Sequence, residues 1–219
     1  MSSERPAVDH FTEAELASLC DRVGDRDPDL KRIIDTYGYP PFWSRPNTFE
    51  SLTWFILEQQ VSLQSARAAL EKLRERVGTI TPERVLELSD EELRAAYFSR
   101  QKTGYVRGLA REIADGALDL AALEALTDDG IRDRLIRLRG IGNWTVDVYL
   151  IIVLHRLDIF PAGDIAALNG LKHLKGLSRT TPVAEVAAVA EHWSPHRTIG
   201  TMLVWHDYLC RKGRAGQFP

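Results

Sequence analysis

The chain has 219 residues, 44% of them hydrophobic and 27% charged, with a formal net charge of −3, which is length enough for a proper core and a composition unlike that of a disordered or fibrous chain. Two cysteines, Cys20 and Cys210, exclude a disulfide framework and a four-cysteine iron–sulfur or zinc site. The polar opening MSSERPAVDH lacks the apolar core of a signal peptide, and the longest apolar run, Val148 to Leu154, is too short for a bilayer, so a soluble cytoplasmic protein is expected.

The charge is unevenly spread. The first fifty residues carry 6 bases and 10 acids, whereas Ile131 to Arg179 carries 8 bases and 4 acids. A basic face on an acidic body gives that asymmetry, and so does chance variation among solvated helix faces.

Helical periodicity dominates from there. Thr48 opens a long run, with Ser51 as a second possible cap; Leu52, Phe55, Ile56, Ala66, Ala69, Leu70 and Leu73 repeat at helical spacing, and Gly78 can end it. Its length predicts two helices broken near Val61–Ser65. Ser89 with Glu92 forms a capping box. Helix signals continue in KTGYVRGLAREIADG, TDDGIRDRLIRL, NWTVDVYLIIVLHRL, DIAALNGLKHL, TPVAEVAAVAEHW with Thr181 before Pro182, and SPHRTIGTMLVWHDYLCRK with Ser194 before Pro195. The expected fold is all-α, with eight to eleven helices joined by short connections.

Between two of those helices lies LRGIGNWTV, Leu138 to Val146. Gly140 and Gly142 let a backbone fold back and present amide N–H groups at the start of the next helix, a site suited to a nucleic-acid phosphate. A C-cap glycine followed by an ordinary tight turn accounts for the same spacing. Further on, a Pro–Ala–Gly loop leads to Asp164 directly before a helical run. Aspartate there is a good N-cap, and backbone N–H bonds and the helix field also keep such a carboxylate ionised, able to stabilise a cation. The six histidines pair with nothing at metal-ligand spacing.

Taken together, ILEQQVS, FSRQKTGYVRGLA, LRGIGNWTVDVYLI, DIFPAGDIAAL and WSPHRT resemble the helix–hairpin–helix DNA glycosylases, and most of all their 3-methyladenine DNA glycosylase II branch, over roughly Phe49 to Arg211. The resemblance implies two helical subdomains with an active-site cleft between them, residues 1–45 packing on the helical core and 46–219 forming the glycosylase domain. It implies Asp164 as the catalytic carboxylate and Gln60, beside Gln59, as the wedge that fills the duplex when a nucleotide is flipped out. Arg139, Gly140, Ile141, Gly142, Thr145, Lys102 and Arg197 complete the implied DNA-binding set, and Trp144, Trp54, Tyr149 and His196 the base pocket, with Phe42 and Trp43 as further stacking candidates. No cofactor is implied beyond a Na+ or K+ ion on the carbonyls of Ile136, Leu138 and Ile141. It further implies damaged double-stranded DNA as the partner and a monomer associated with the nucleoid.

Departures from the family pattern are informative. Arg139 stands where a proline is usual, His196 where an aromatic is expected, and Trp144 where bifunctional relatives carry a lysine, so no Schiff base with the sugar is available there. The implied activity is monofunctional hydrolysis of the N-glycosidic bond of alkylated purines in base excision repair. The sequence leaves open a glycosylase for deaminated or oxidised bases, and a non-catalytic DNA-binding module in which Asp164 is only a cap. Asp147, one turn into the helix after the hairpin, reads as a surface or capping residue.

Overall fold

The structure, a computed structural model, describes residues 9–216. These contain thirteen α-helices and one 3-10 turn. No strand occurs among the described residues, where pairing is confined to an isolated bridge between His10 and Arg156, and no described helix is long and apolar enough to cross a membrane.

The chain divides into two compact units, one of Met1–Ser44 with Leu150–Pro219 and the other Arg45–Tyr149. The described N-terminal residues build one unit together with the last third of the chain.

In that unit α1 (Glu13–Gly24) and α2 (Pro28–Tyr37) pack on each other and on the C-terminal helix. Local chemistry starts both helices: Thr12 and Glu15 form a capping box, and Asp27 accepts from the amide of Asp29 at the head of α2, whose first residue is Pro28.

The Arg45–Tyr149 unit holds α3 (Phe49–Glu58), α4 (Leu63–Val77), α5 (Pro82–Glu87), α6 (Asp90–Ala95), α7 (Arg100–Ala114), α8 (Leu120–Leu123), α9 (Asp128–Leu135) and the start of α10 (Asn143–Ile152). Thr48, Ser62, Thr81, Ser89, Ser99, Asp119 and Thr127 each cap the helix that follows through a side-chain oxygen. Such caps satisfy amides that a helix start leaves without internal partners. Its core forms where α7 packs on α3, α5 and α6.

The remaining helices of the first unit are α11 (Ile165–Leu174), α12 (Val183–Ala190) and α13 (Arg197–Arg211), with the 3-10 turn Glu191–Trp193 ahead of α13. Pro182 and His196, not Thr181 and Ser194, occupy the N-cap positions of α12 and α13, and neither makes a side-chain cap bond. Helix α13 is its spine: Ile199, Met202, Leu203, Val204, Trp205 and Leu209 are buried, and α11, α1 and α2 pack on it. At the closest approach of α11 to α13 stands Gly170, where a Cβ would lie 2.6 Å from Val204 Cγ1 and 3.2 Å from the Val204 carbonyl.

Candidate active site and nucleic-acid interface

Helix α9 ends at Leu135 and α10 begins at Asn143, so the LRGIG turn joins two helices as its sequence predicts. The Ile141 amide donates to the Leu138 carbonyl (3.0 Å), and Val146 makes the first backward bond of α10, to Gly142 (3.1 Å). The amides ahead of Val146 therefore have no partner within the helix, and the positive end of α10 faces the turn.

The two glycines serve different needs. Gly140 has a φ of +94°, and a Cβ on it would meet the Tyr105 ring at 2.1 Å. Gly142 has no left-handed φ, and nothing lies within 4 Å of where its Cβ would be. The protein's own packing does not require glycine at 142. An open backbone there suits close approach by an external group.

Arg132 clasps the two hairpin helices, donating to Asp147 Oδ1 (2.6 Å) and Asn143 Oδ1 (3.1 Å). Burial pushes the Asp147 carboxyl above its ordinary pKa, against the pull of Arg132. Asp147 is therefore a structural partner of α9.

The turn from α3 to α4 separates the adjacent glutamines. Gln59 is half-buried, and its Nε2 donates to the Gly140 carbonyl (2.8 Å) and to Thr145 Oγ1 (3.0 Å). It ties this turn to the hairpin. The Thr145 side chain is buried and accepts from Gln59. Ile141 is also buried, whereas Arg139 is exposed. Gln60 is exposed, in the left-handed region with φ +58°, a strained geometry for a residue other than glycine.

Two further residues expected at the DNA hold partners within the protein. Lys102 Nζ donates to the Leu57 carbonyl at the end of α3 (2.6 Å), and burial lowers its pKa. Arg197 binds Asp158 through Nε (2.9 Å) and Nη2 (3.0 Å), and Glu191 through Nη1 (2.7 Å); its Asp158 hydrogen bond raises its pKa.

The pocket aromatics divide as well. Tyr149 has 0% exposure and its hydroxyl donates to Asn47 Oδ1 (2.8 Å). Trp54 is 7% exposed, with the Arg45 guanidinium 4.5 Å above its ring. Both rings are buried, as aromatics at helical spacing commonly are. Phe42 stacks on His155 (4.6 Å) and buried Trp43 packs edge-on to Trp205 (6.3 Å). Trp144 is half-exposed at the head of α10. His196 is buried at the head of α13, and its pKa is lowered by burial and by Arg22 and Arg26.

Asp164 sits at the N-cap of α11. Its Oδ1 accepts from the Ala167 amide (2.7 Å) and from the indole N–H of Trp205 (3.0 Å). The second donor is a residue that sequence reasoning missed. Trp205 lies in the apolar run MLVW, where it reads as core, and no local pattern joins it to an aspartate 41 positions away. No cluster of three or more His, Cys, Asp or Glu able to hold a metal occurs among the described residues.

The chain has relatives of known name and structure. The profile of the HhH-GPD superfamily of base excision DNA repair proteins matches residues 53–196. The chain belongs to this family. As an HhH-GPD protein it is similar to a putative DNA-3-methyladenine glycosylase, YfjP, of Bacillus subtilis, at 27% identity over 91% of this chain and 68% of the relative. It is equally similar to DNA-3-methyladenine glycosylase 1 of Schizosaccharomyces pombe, at 27% identity over 90% of this chain and 88% of that protein. The solved S. pombe 3-methyladenine DNA glycosylase (Mag1), in complex with abasic DNA, superposes with a TM-score of 0.80, covering 86% of this chain and 95% of that one. A DNA-3-methyladenine glycosidase from Bacillus halodurans gives 0.77 at 26% identity, covering 94% and 95%. The all-helical architecture is that of this family's glycosylases.

Proposed function

We propose that this HhH-GPD protein is a monofunctional DNA glycosylase that hydrolyses the N-glycosidic bond of alkylated purines, of the 3-methyladenine type, in damaged duplex DNA. The observation that carries the reading is Asp164, a carboxylate fixed at the N-cap of α11 by two N–H donors, in a chain whose hairpin helix presents Trp144 in place of an amine. The names of the relatives support the substrate class.

Flipping a nucleotide out of the stack costs a few kcal/mol, least for a damaged or mispaired base. Gln60, exposed on the α3–α4 turn, fills the gap, while the Gly142 backbone and the first amides of α10 hold a phosphate. As the C1′–N bond breaks, its electron pair leaves with the base and positive charge builds on the sugar. Asp164 stabilises that charge, and a water adds to C1′, its proton passing to Asp164 or to solvent. A cationic alkylated base departs as a neutral molecule and needs no general acid. A preorganised charge of this kind is worth about 3–4 kcal/mol.

No cofactor takes part in the bond cleavage. A monovalent cation at the hairpin would rest on the carbonyls of Ile136, Leu138 and Ile141. Ile136 is the C-cap of α9, where helix carbonyls lack internal partners, and the Leu138 carbonyl keeps a second lone pair beyond its bond from Ile141. Such an ion would brace the turn. On this reading the enzyme acts as a monomer on nucleoid DNA in the cytoplasm.

A panel of duplexes carrying methylated, deaminated or oxidised bases tests the reading. Methylpurines should be released, leaving an intact abasic site, and borohydride should trap no covalent adduct. Release confined to oxidised or deaminated bases, or stoichiometric trapping on a lysine, would contradict it.

A further inference from the structure

We infer that Trp205 is a positioning residue for Asp164, acting through its indole N–H; this rests on the catalytic reading of Asp164 given above. The N-cap bond from the Ala167 amide already anchors Oδ1. An N-cap bond fixes where an oxygen sits along a helix and does not by itself set the angle of the carboxylate plane. A donor from another helix adds a constraint on that angle. Trp205 Nε1 reaches the same Oδ1 at 3.0 Å, and a hydrogen bond to a charged acceptor is about twice as strong as one between neutral groups.

The surroundings fix that donor in turn. Trp205 is 1% exposed, and the edge of Trp43 packs against its ring at 6.3 Å and 75°. The approach of α11 to α13 depends on Gly170, since a Cβ there would press on the β-branched Val204 and on its carbonyl. One missing methyl thus sets the helix spacing that brings a buried indole within hydrogen-bond reach of a carboxylate two turns away on the neighbouring helix. Trp205 would also be fully packed if it were merely core, and then its N–H would have no bearing on the rate.

A double-mutant cycle separates these cases. Single-turnover excision of a methylated purine and affinity for abasic duplex would be measured for the intact protein and for Trp205→Phe, Asp164→Asn and the double variant. Trp205→Phe should lower the excision rate about tenfold and leave affinity within about twofold, while in the Asp164→Asn background it should change the residual rate by less than about twofold. Because the smaller ring can loosen the core, 3-benzothienylalanine at position 205, which has the shape of indole without its N–H, should reproduce the loss with an unchanged melting profile. An equal loss in both backgrounds, or full activity with the sulfur analogue, would overturn the inference. Near-normal excision by Asp164→Asn would instead remove the reading beneath it, so the two failures are distinguishable.

Discussion

A single glycine shows how the residue scale decides function. Gly140 is required by its own fold, through a φ of +94° and the Tyr105 ring beneath it, whereas Gly142 is surrounded by open space. The sequence treats the two alike; their consequences differ. Gly140→Ala should cost about 3 kcal/mol of stability, from backbone strain and the forced shift of Tyr105, read as a lowered denaturation midpoint. Gly142→Ala should leave that midpoint almost unchanged and weaken binding to duplexes of any sequence roughly tenfold, the loss of one hydrogen bond to a charged group. Equal stability loss in the two variants, with unchanged affinity in Gly142→Ala, would refute this division of labour. The adjacent glutamines divide similarly. Gln60→Gly should keep stability within about 1 kcal/mol, because relief of the left-handed strain offsets the entropy of glycine. Its excision rate should fall much more on a fully paired lesion than on one opposite an abasic site, where no pairing partner opposes flipping. A uniform fall on both substrates would remove Gln60 from the wedge role.

At the scale of elements, what is local was legible and what is distant was not. The caps at Thr48 and Ser89, the break between α3 and α4, and the helix–turn–helix around LRGIG follow from contacts within four residues, which a sequence displays directly. Asp164 was legible as a cap for the same reason. The bond from Trp205 to Asp164 spans 41 residues, and that from Gln59 to Gly140 spans 81. Both depend on helix packing that no local pattern encodes. Trp54 and Tyr149, expected at the base pocket, are buried. Arg197 and Lys102, expected at the DNA, also hold Asp158, Glu191 and the Leu57 carbonyl, partners that no local pattern announces. The start of α13 was misplaced because Ser194 donates to Asp158 instead of capping, and the helix begins only at Arg197.

For the whole molecule, the unit that carries Asp164 is cross-braced by a second aspartate. Asp27 caps α2 and accepts from Lys175 Nζ at 2.7 and 2.8 Å and from the Trp193 indole at 2.8 Å, joining three parts of the chain. Burial pushes its pKa up, but the hydrogen bonds from Lys175 and Trp193 win and hold it below the ordinary value; Asp158, bound by Arg197, is lowered in the same way. A depressed carboxylate stabilises the fold above its unfolded pKa of about 3.9 and loses that contribution as pH falls through the folded value. Melting temperature should therefore drop as pH falls below about 4, and Asp27→Asn should cost about 2 kcal/mol at pH 7 and clearly less at pH 3. An equal cost at both pH values would show that the charge of Asp27 is not what braces the unit. Above these structural claims stands the chemical one, that the Asp164 charge drives base release. Its most direct measurement is single-turnover excision from methylated duplex by wild type and Asp164→Asn, a change that keeps a capping side chain and removes only the charge. The account predicts unchanged folding and DNA affinity with excision slowed on the order of 100-fold or more; excision within about threefold of wild type would contradict it.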